Sequence, residues 1–240
     1  MNKMKKIKQK NNFIKFSIAI LISFCVPNFS VAQNYIDVGK IGRDAISRNS
    51  GRLEFAFADD GVKFGAPIFM RIFKDKSTLE IWAQAKNGKY KYLRQYKICG
   101  ANTANIPSGI YFINAQSLVQ GQRNSFSVAT SYPNAYNVAQ KQSGHIILAP
   151  RCAPAPNIGL TDPDMDEMFA ILYKSISKGQ NAIQIQVLPF ALNGFNMFTA
   201  QKKPNYNTLK QLAPIYSKFE ETKKVPKITI SSSGYKLITK

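Results

Sequence analysis

The chain has 240 residues, 33 lysines and arginines against 13 acids, and a formal charge of +20. That length suits one domain, or one domain with an extension. One histidine and scattered cysteines lack the ligand spacing of a zinc shell, and no glycine-rich phosphate loop occurs, so neither metal nor cofactor is expected.

The N-terminus reads as a targeting segment. Lys3, Lys5, Lys6, Lys8, Lys10 and Lys15 precede an apolar run from Phe16 to Val26. That run is too short to span a bilayer comfortably. Pro27 breaks it, and Ser30-Val31-Ala32 supplies small residues at a cleavage spacing. Residues 1–32 therefore read as a secretory signal peptide cleaved near Ala32, and the expected location is the periplasm or cell envelope. A lipoprotein signal at Cys25 fits less well, because Phe24 stands where a small residue is needed. Removing 32 residues with six lysines and no acid leaves 208 with a charge of +14. In the cytosol such a charge would suggest nucleic acid. Outside it, the acidic partners are cell-wall polymers and anionic lipid headgroups, so no nucleic-acid partner is expected and electrostatic contact with anionic envelope surfaces is. A solvated lysine surface explains the charge equally well.

Residues 33–61 form an N-terminal lead-in with one helix expected around Val38 to Ser47. From Gly65 the pattern turns strand-like, with runs at 67–73 and 79–84. Asn87-Gly88 between the second run and Tyr90–Ile98 is a strong hairpin signal. Tyr90, Tyr92, Tyr96 and Ile98, at a spacing of two, are expected on one face. Further strands are expected at 109–114, 125–130 and 145–149.

The segment Ser143 to Asp162 then runs from a short apolar strand through a loop with three prolines and Cys152 into a strong helix. Met165, Met168, Phe169, Leu172 and Ile176 make one apolar stripe. Asp164, Asp166 and Glu167 load its start, Lys174 and Lys178 its end, and Gly179 stops it, each placement matching the helix dipole and capping rules. A strand follows at 182–188. A second helix carries Leu209, Leu212, Tyr216 and Phe219, with Pro214 expected to kink or start it. A terminal pair, 227–230 and 235–238, turns around Gly234. Many short strands with few helices indicate a β-rich α+β domain. Cys99 and Cys152 are compatible with a disulfide, with two buried thiols, or with one reactive thiol.

Several of these pieces together resemble the catalytic domain of the L,D-transpeptidases (YkuD-like), in its YafK-type murein branch. Gly65 to Lys74 and Leu79 to Trp82 resemble the opening strands, and Tyr96 to Cys99 the next. Ile106-Pro107-Ser108-Gly109-Ile110-Tyr111 resembles a P-x-G-x-Y turn. Ser131-Tyr132-Pro133-Asn134-Ala135-Tyr136 and Thr161-Asp162 are similar to the most specific signatures. Pro189-Phe190 and Phe219-Glu220 with Thr222 also fit. The likeness covers residues 62 to 238, so residues 62–240 are expected to form the YkuD-like domain: strands, a helix after the active-site loop, then a C-terminal helix plus hairpin.

The resemblance implies a cysteine thiolate that attacks a peptide carbonyl of the murein stem, with a histidine beside it to raise the thiolate fraction. Donors that stabilise the oxyanion complete such a site. The branch carries His-Gly at the end of the strand before the loop, and Ser-x-Gly-Cys shortly before Thr-Asp. Counting back from Thr161-Asp162, the cysteine falls on Asn157, the serine on Pro154 and His-Gly on Ala149-Pro150. Counting forward from Gly144 moves the histidine slot to Pro150. Neither register recovers histidine or cysteine, so no catalytic residue is intact.

A fallback pair, Cys152 with His145, would lie about 23 Å apart if the chain stayed extended at ~3.3 Å per residue. Tyr132 and Tyr136 are candidates for lining a peptide or saccharide groove, with packing as the plainer role. The expectation is a catalytically degenerate, exported protein of this family in peptidoglycan remodelling, binding murein stem peptides or an active wall enzyme. The alternatives are an active L,D-transpeptidase or peptidase using Cys152, and a basic wall- or membrane-surface binding module.

Overall fold

The structure, a computed structural model, describes residues 36–100, 103–120 and 126–239. The signal-peptide segment lies outside the described residues. In chain order the elements are α1 (Gly39–Asp59), β1 (Ile68–Phe73), β2 (Thr78–Gln84), β3 (Tyr90–Lys97), β4 (Gly109–Ile113), β5 (Leu118–Gln120), β6 (Phe126–Ala129) and α2 (Ala135–Ala139). They continue with β7 (Ile147–Ala149), β8 (Ile158–Gly159), α3 (Asp162–Ser177), β9 (Ile183–Leu188), α4 (Gly194–Thr199), α5 (Tyr206–Thr222), β10 (Ile228–Ser231) and β11 (Gly234–Leu237). The class is α+β, with a helix after the 150–157 loop and a C-terminal helix plus hairpin.

A five-stranded mixed sheet, in the order β3-β2-β1-β9-β4, forms the centre. β1 pairs antiparallel with β2 and parallel with β9. Every residue of β1 and of β9 is buried, as strands covered on both faces must be. Met70 and Ile72 join a core beneath α1 and α3. On the opposite face Phe69 stacks on Phe219 of α5, ring centroids 4.4 Å apart. Phe73 joins a second core with Leu209, Leu212 and Ile215 of the same helix.

The single-face expectation for β3 needs correction. The β2–β3 register slips between Ile81 and Trp82, which pair with Arg94 and Tyr92 and leave Leu93 as the extra residue. A bulge of this kind shifts the side-chain alternation by one. Tyr90 and Tyr92 therefore lie near Phe219 and Trp82, whereas Leu93, Tyr96 and Ile98 enter the core under α1 and α3. Tyr96 Oη donates to Glu167 of α3 at 2.8 Å.

α1 is longer than the segment expected at 38–47. Asn49, Ser50 and Gly51 are weak helix formers. Beyond them Leu53 and Phe57 are fully buried, and this packing carries the helix through to Asp59. α3 follows its sequence pattern: all five stripe residues are buried, Thr161 caps the N-terminus by accepting from Asp164 N, and Asp162 and Asp164 sit in the first turn. α5 begins at Tyr206 and runs through Pro214. That proline is exposed, so the carbonyl it leaves unbonded can face water.

Candidate functional site

The 143–162 segment lies in a second sheet, ordered β5-β6-β7-β8. β6 and β7 are antiparallel, while β7 and β8 are parallel, with Leu148 opposite Ile158 and Ala149 opposite Gly159. Ile146, Leu148, Ile158 and Leu160 are buried and anchor the segment to the core. Between the strands the chain makes a tight excursion, with Arg151 and Cys152 both at positive φ.

Backbone hydrogen bonds clamp this excursion at its base. Leu160 N donates to Ala149 O at 2.9 Å, and Cys152 N donates to Leu160 O at 2.9 Å. Arg151 N donates to the Asp162 carboxylate at 2.8 Å, so Asp162 serves both the loop and the helix start. Asn157 N donates to Pro154 O at 3.1 Å. Cys99 N, just after β3, donates to Gly159 O at 2.9 Å. The packing there leaves no room for a side chain: a Cβ on Gly159 would meet Cys99 O at 2.4 Å and Ala153 O at 2.5 Å.

Cys99 and Cys152 are joined by a disulfide, with Cα atoms 4.8 Å apart. It ties the end of the central sheet to the loop. A sulfur held in that bond offers no thiolate. His145 is exposed and precedes β7, four residues and about 13 Å along an extended chain from Ala149. Among the described residues, therefore, no free thiol stands beside an imidazole.

Ala149 and Asn157, the two positions that the register count from Thr161-Asp162 picks out, lie on or next to adjacent strands. Ala149 lies one residue beyond the Leu148–Ile158 pair, and Asn157 one residue before it. Two residues along the strand at about 3.3 Å each and one inter-strand spacing of about 4.8 Å put them roughly 8 Å apart. Ala149 is buried. Asn157 is partly buried, and its Oδ1 is buried without a hydrogen-bond partner. An amide and a methyl group supply neither nucleophile nor base at these places.

Tyr132 and Tyr136 are not brought together: Tyr132 packs against the first core, near the start of β7, and Tyr136 against the second. Thr130 N donates to Ile146 O at 3.1 Å, and Tyr132 Oη donates to Ser143 O at 3.2 Å. The rings of Tyr132 and Tyr111 meet edge to face, as do those of Tyr136 and Tyr235. Tyr136 Oη lies 2.8 Å from Thr208 Oγ1. Burial pushes the Tyr111, Tyr132 and Tyr235 phenols up, so these hydroxyls stay protonated and act as hydrogen-bonding groups near neutral pH.

Asn134, in the same motif, organises the region in a way that the sequence pattern alone left unread. Its Oδ1 accepts from Tyr136 N and Asn137 N to cap α2. Its Nδ2 donates to Ile110 O and to Tyr235 Oη, both at 3.1 Å. Beside it a cavity of about 270 Å³ is lined by Ser108, Tyr136, Asn137, Gln142, Asn205 and Thr208 among others. Ser108 Oγ, from the P-x-G-x-Y turn, is buried there without a partner. The available signal was the pair of motifs at 106–111 and 131–136; nothing in either named Asn205 or Thr208 as neighbours.

The carboxylates at the start of α3 are engaged elsewhere. Asp166 pairs with Arg48 of α1 at 2.5 Å. Glu167 takes Arg52 of α1, Arg94 of β3 and the Tyr96 hydroxyl. Among the described residues no group of three histidine, cysteine or acidic side chains could hold a metal ion.

No protein-family model matches the chain. Over 186 residues it is 26% identical to the "Putative L,D-transpeptidase YafK" of Escherichia coli K12, covering 71% of this chain and 74% of that protein. The counterpart in Escherichia coli O157:H7 matches to the same extent. Among solved structures, the helical cell shape determining protein Pgp2 of Campylobacter jejuni is 15% identical over 77% of this chain and 83% of that one, with a TM-score of 0.38. Bd1075 of Bdellovibrio bacteriovorus is 16% identical over 52% of this chain and 48% of that one, also with a TM-score of 0.38. By sequence the chain is a relative of the YafK-type L,D-transpeptidases, as its ordered motifs indicate.

Proposed function

We propose that this chain is an exported, catalytically silent relative of the L,D-transpeptidases that acts in peptidoglycan remodelling, holding murein stem peptides or partnering an active wall enzyme. One observation carries the reading. Counted back from Thr161-Asp162, the family's histidine and cysteine positions fall on Ala149 and Asn157, whose side chains offer neither base nor nucleophile. Loss of a hydrolytic nucleophile can lower turnover by about 10⁶, as it does in the serine protease subtilisin. Export rests on the signal-peptide pattern of residues 1–32.

The test is incubation of the purified protein with isolated sacculi. The expected result is binding that persists as salt is raised, with no release or exchange of the stem's terminal D-amino acid. Turnover that disappears in Cys152→Ala would overturn the silent-enzyme reading and restore the Cys152 alternative. Binding that washes off entirely as the Debye length shrinks would leave only a basic surface.

A further inference from the structure

α4 presents apolar surface that neither core uses. It is held from both sides: Leu192 before it and Ala200 after it are buried in the second core. Asn193 caps it by accepting from Asn196 N, and Asn196 Nδ2 donates back to Ala191 O at 2.8 Å. On this fixed turn Phe195 and Phe198 stand three residues apart, on one face. They are 77% and 68% exposed. The surrounding chain is basic. From Met168 to Phe219 it carries six lysines and no acid. Lys202 and Lys203 follow α4 directly and are exposed. The Lys203 ammonium lies 5.0 Å from the Phe190 ring and that of Lys210 5.5 Å from the Tyr206 ring. No ion pair among the described residues engages any of these three lysines.

We propose that α4 is a membrane-surface anchor: Phe195 and Phe198 insert into the headgroup–acyl boundary of an anionic lipid bilayer, and Lys202 and Lys203 lie on its headgroups. Aromatic and aliphatic side chains beside lysines are the composition of interfacial anchors, and juxtaposed lysines favour anionic leaflets. A second copy of this chain is a poorer occupant, because a two-fold contact through the patch would press two lysine collars together. The anchor goes beyond the wall-binding reading and does not depend on it, since neither its residues nor its test touches the 143–162 loop.

The test compares full-length variants on vesicles of phosphatidylglycerol, with phosphatidylcholine vesicles and isolated sacculi as the other arms. The apolar run at 16–26 is common to every variant, so only differences between variants are read. F195W should gain quenching by brominated phosphatidylglycerol over the native chain, whose single tryptophan is Trp82. F195S/F198S should lower the partition onto phosphatidylglycerol by at least about tenfold, the scale of transferring a phenylalanine ring. K202Q/K203Q should lower it by up to about 25-fold, about fivefold per lysine, with little change on phosphatidylcholine. Unchanged thermal unfolding shows that these exposed substitutions leave the fold intact. No added quenching in F195W, or vesicle partition unaffected by F195S/F198S, overturns the anchor. So does concentration-dependent self-association, or sacculus binding, that F195S/F198S abolishes while vesicle binding stays the same.

Discussion

Arg71 is 1% exposed in the middle of β1, an expensive place for a charge. Its guanidinium lies 4.7 Å from the rings of both Tyr216 and Phe219 and within 5.6 Å of those of Phe69 and Phe73. Nη1 donates to Glu220 Oε1 at 2.5 Å, and Lys223 holds the other carboxylate oxygen at 2.6 Å. This pair bolts α5 to the sheet. E220Q would leave the cation uncompensated, and we expect a loss of about 2 kcal/mol. That lies below the ~3–5 kcal/mol of a fully buried pair, because Glu220 is partly open to solvent. Burial alone would raise the Glu220 carboxyl, but hydrogen bonds from Lys223 and Arg71 outweigh it and the net shift is downward. A carboxyl depressed by folding adds stability above its unfolded value and loses it as pH falls through its folded value. Urea titrations should therefore show the native chain losing stability below 4.5, the ordinary value, with a flatter acid limb in E220Q. An equally steep acid limb in E220Q would assign the pH dependence to other groups.

At the scale of elements, the disulfide spans 53 residues and joins the end of β3 to the loop between β7 and β8. Loop-closure scaling gives it about 4 kcal/mol. C99S/C152S, or reduction, should lower the unfolding midpoint accordingly while leaving sacculus binding unchanged below that midpoint. Turnover that emerges on reduction and is lost in Cys152→Ala would instead give Cys152 a catalytic role. What the sequence made legible at this scale follows periodicity. α3 announces itself through five stripe residues, a cap and a stop, because its packing repeats at the helix period. The β2–β3 hairpin was legible from Asn87-Gly88, but the bulge at Leu93 was not, since one extra residue changes faces without changing composition. α2 and α4 escaped notice because five or six residues are too few to carry a period. The loop's chemistry was legible only as a register count from Thr161-Asp162, which points to Ala149 and Asn157. The clamp around them depends on long-range partners, Cys99 and Asp162 among them, that no local pattern reveals. The same holds for Tyr136, whose neighbours Tyr235 and Thr208 come from far along the chain.

At the scale of the molecule, both faces of the central sheet are covered, and α1 is part of that covering. Ala45, Leu53 and Phe57 are at most 1% exposed. Arg48 and Arg52 pair with Asp166 and Glu167 of α3, the helix that follows the clamped loop. The resemblance to the L,D-transpeptidases begins only near residue 62, which invites a truncation there. Removing α1 would strip Ala45, Leu53 and Phe57 from the core they share with Met70, Ile72, Met165 and Phe169. Replacing a single buried Leu or Phe by alanine typically costs about 2–5 kcal/mol. A domain has only about 5–15 kcal/mol in all, so losing several such side chains together exceeds what remains. A chain starting at Val62 should therefore be recovered as aggregate or as a protease-sensitive, partly collapsed form. Limited proteolysis and near-ultraviolet circular dichroism beside the full chain would measure this. A truncated chain that stays protease-resistant, with native near-ultraviolet signals, would mean that α1 merely leans on a self-sufficient domain. Failure to fold would make α1 the brace for α3, and through Asp162 and Thr161 the support on which the 150–157 loop keeps its shape.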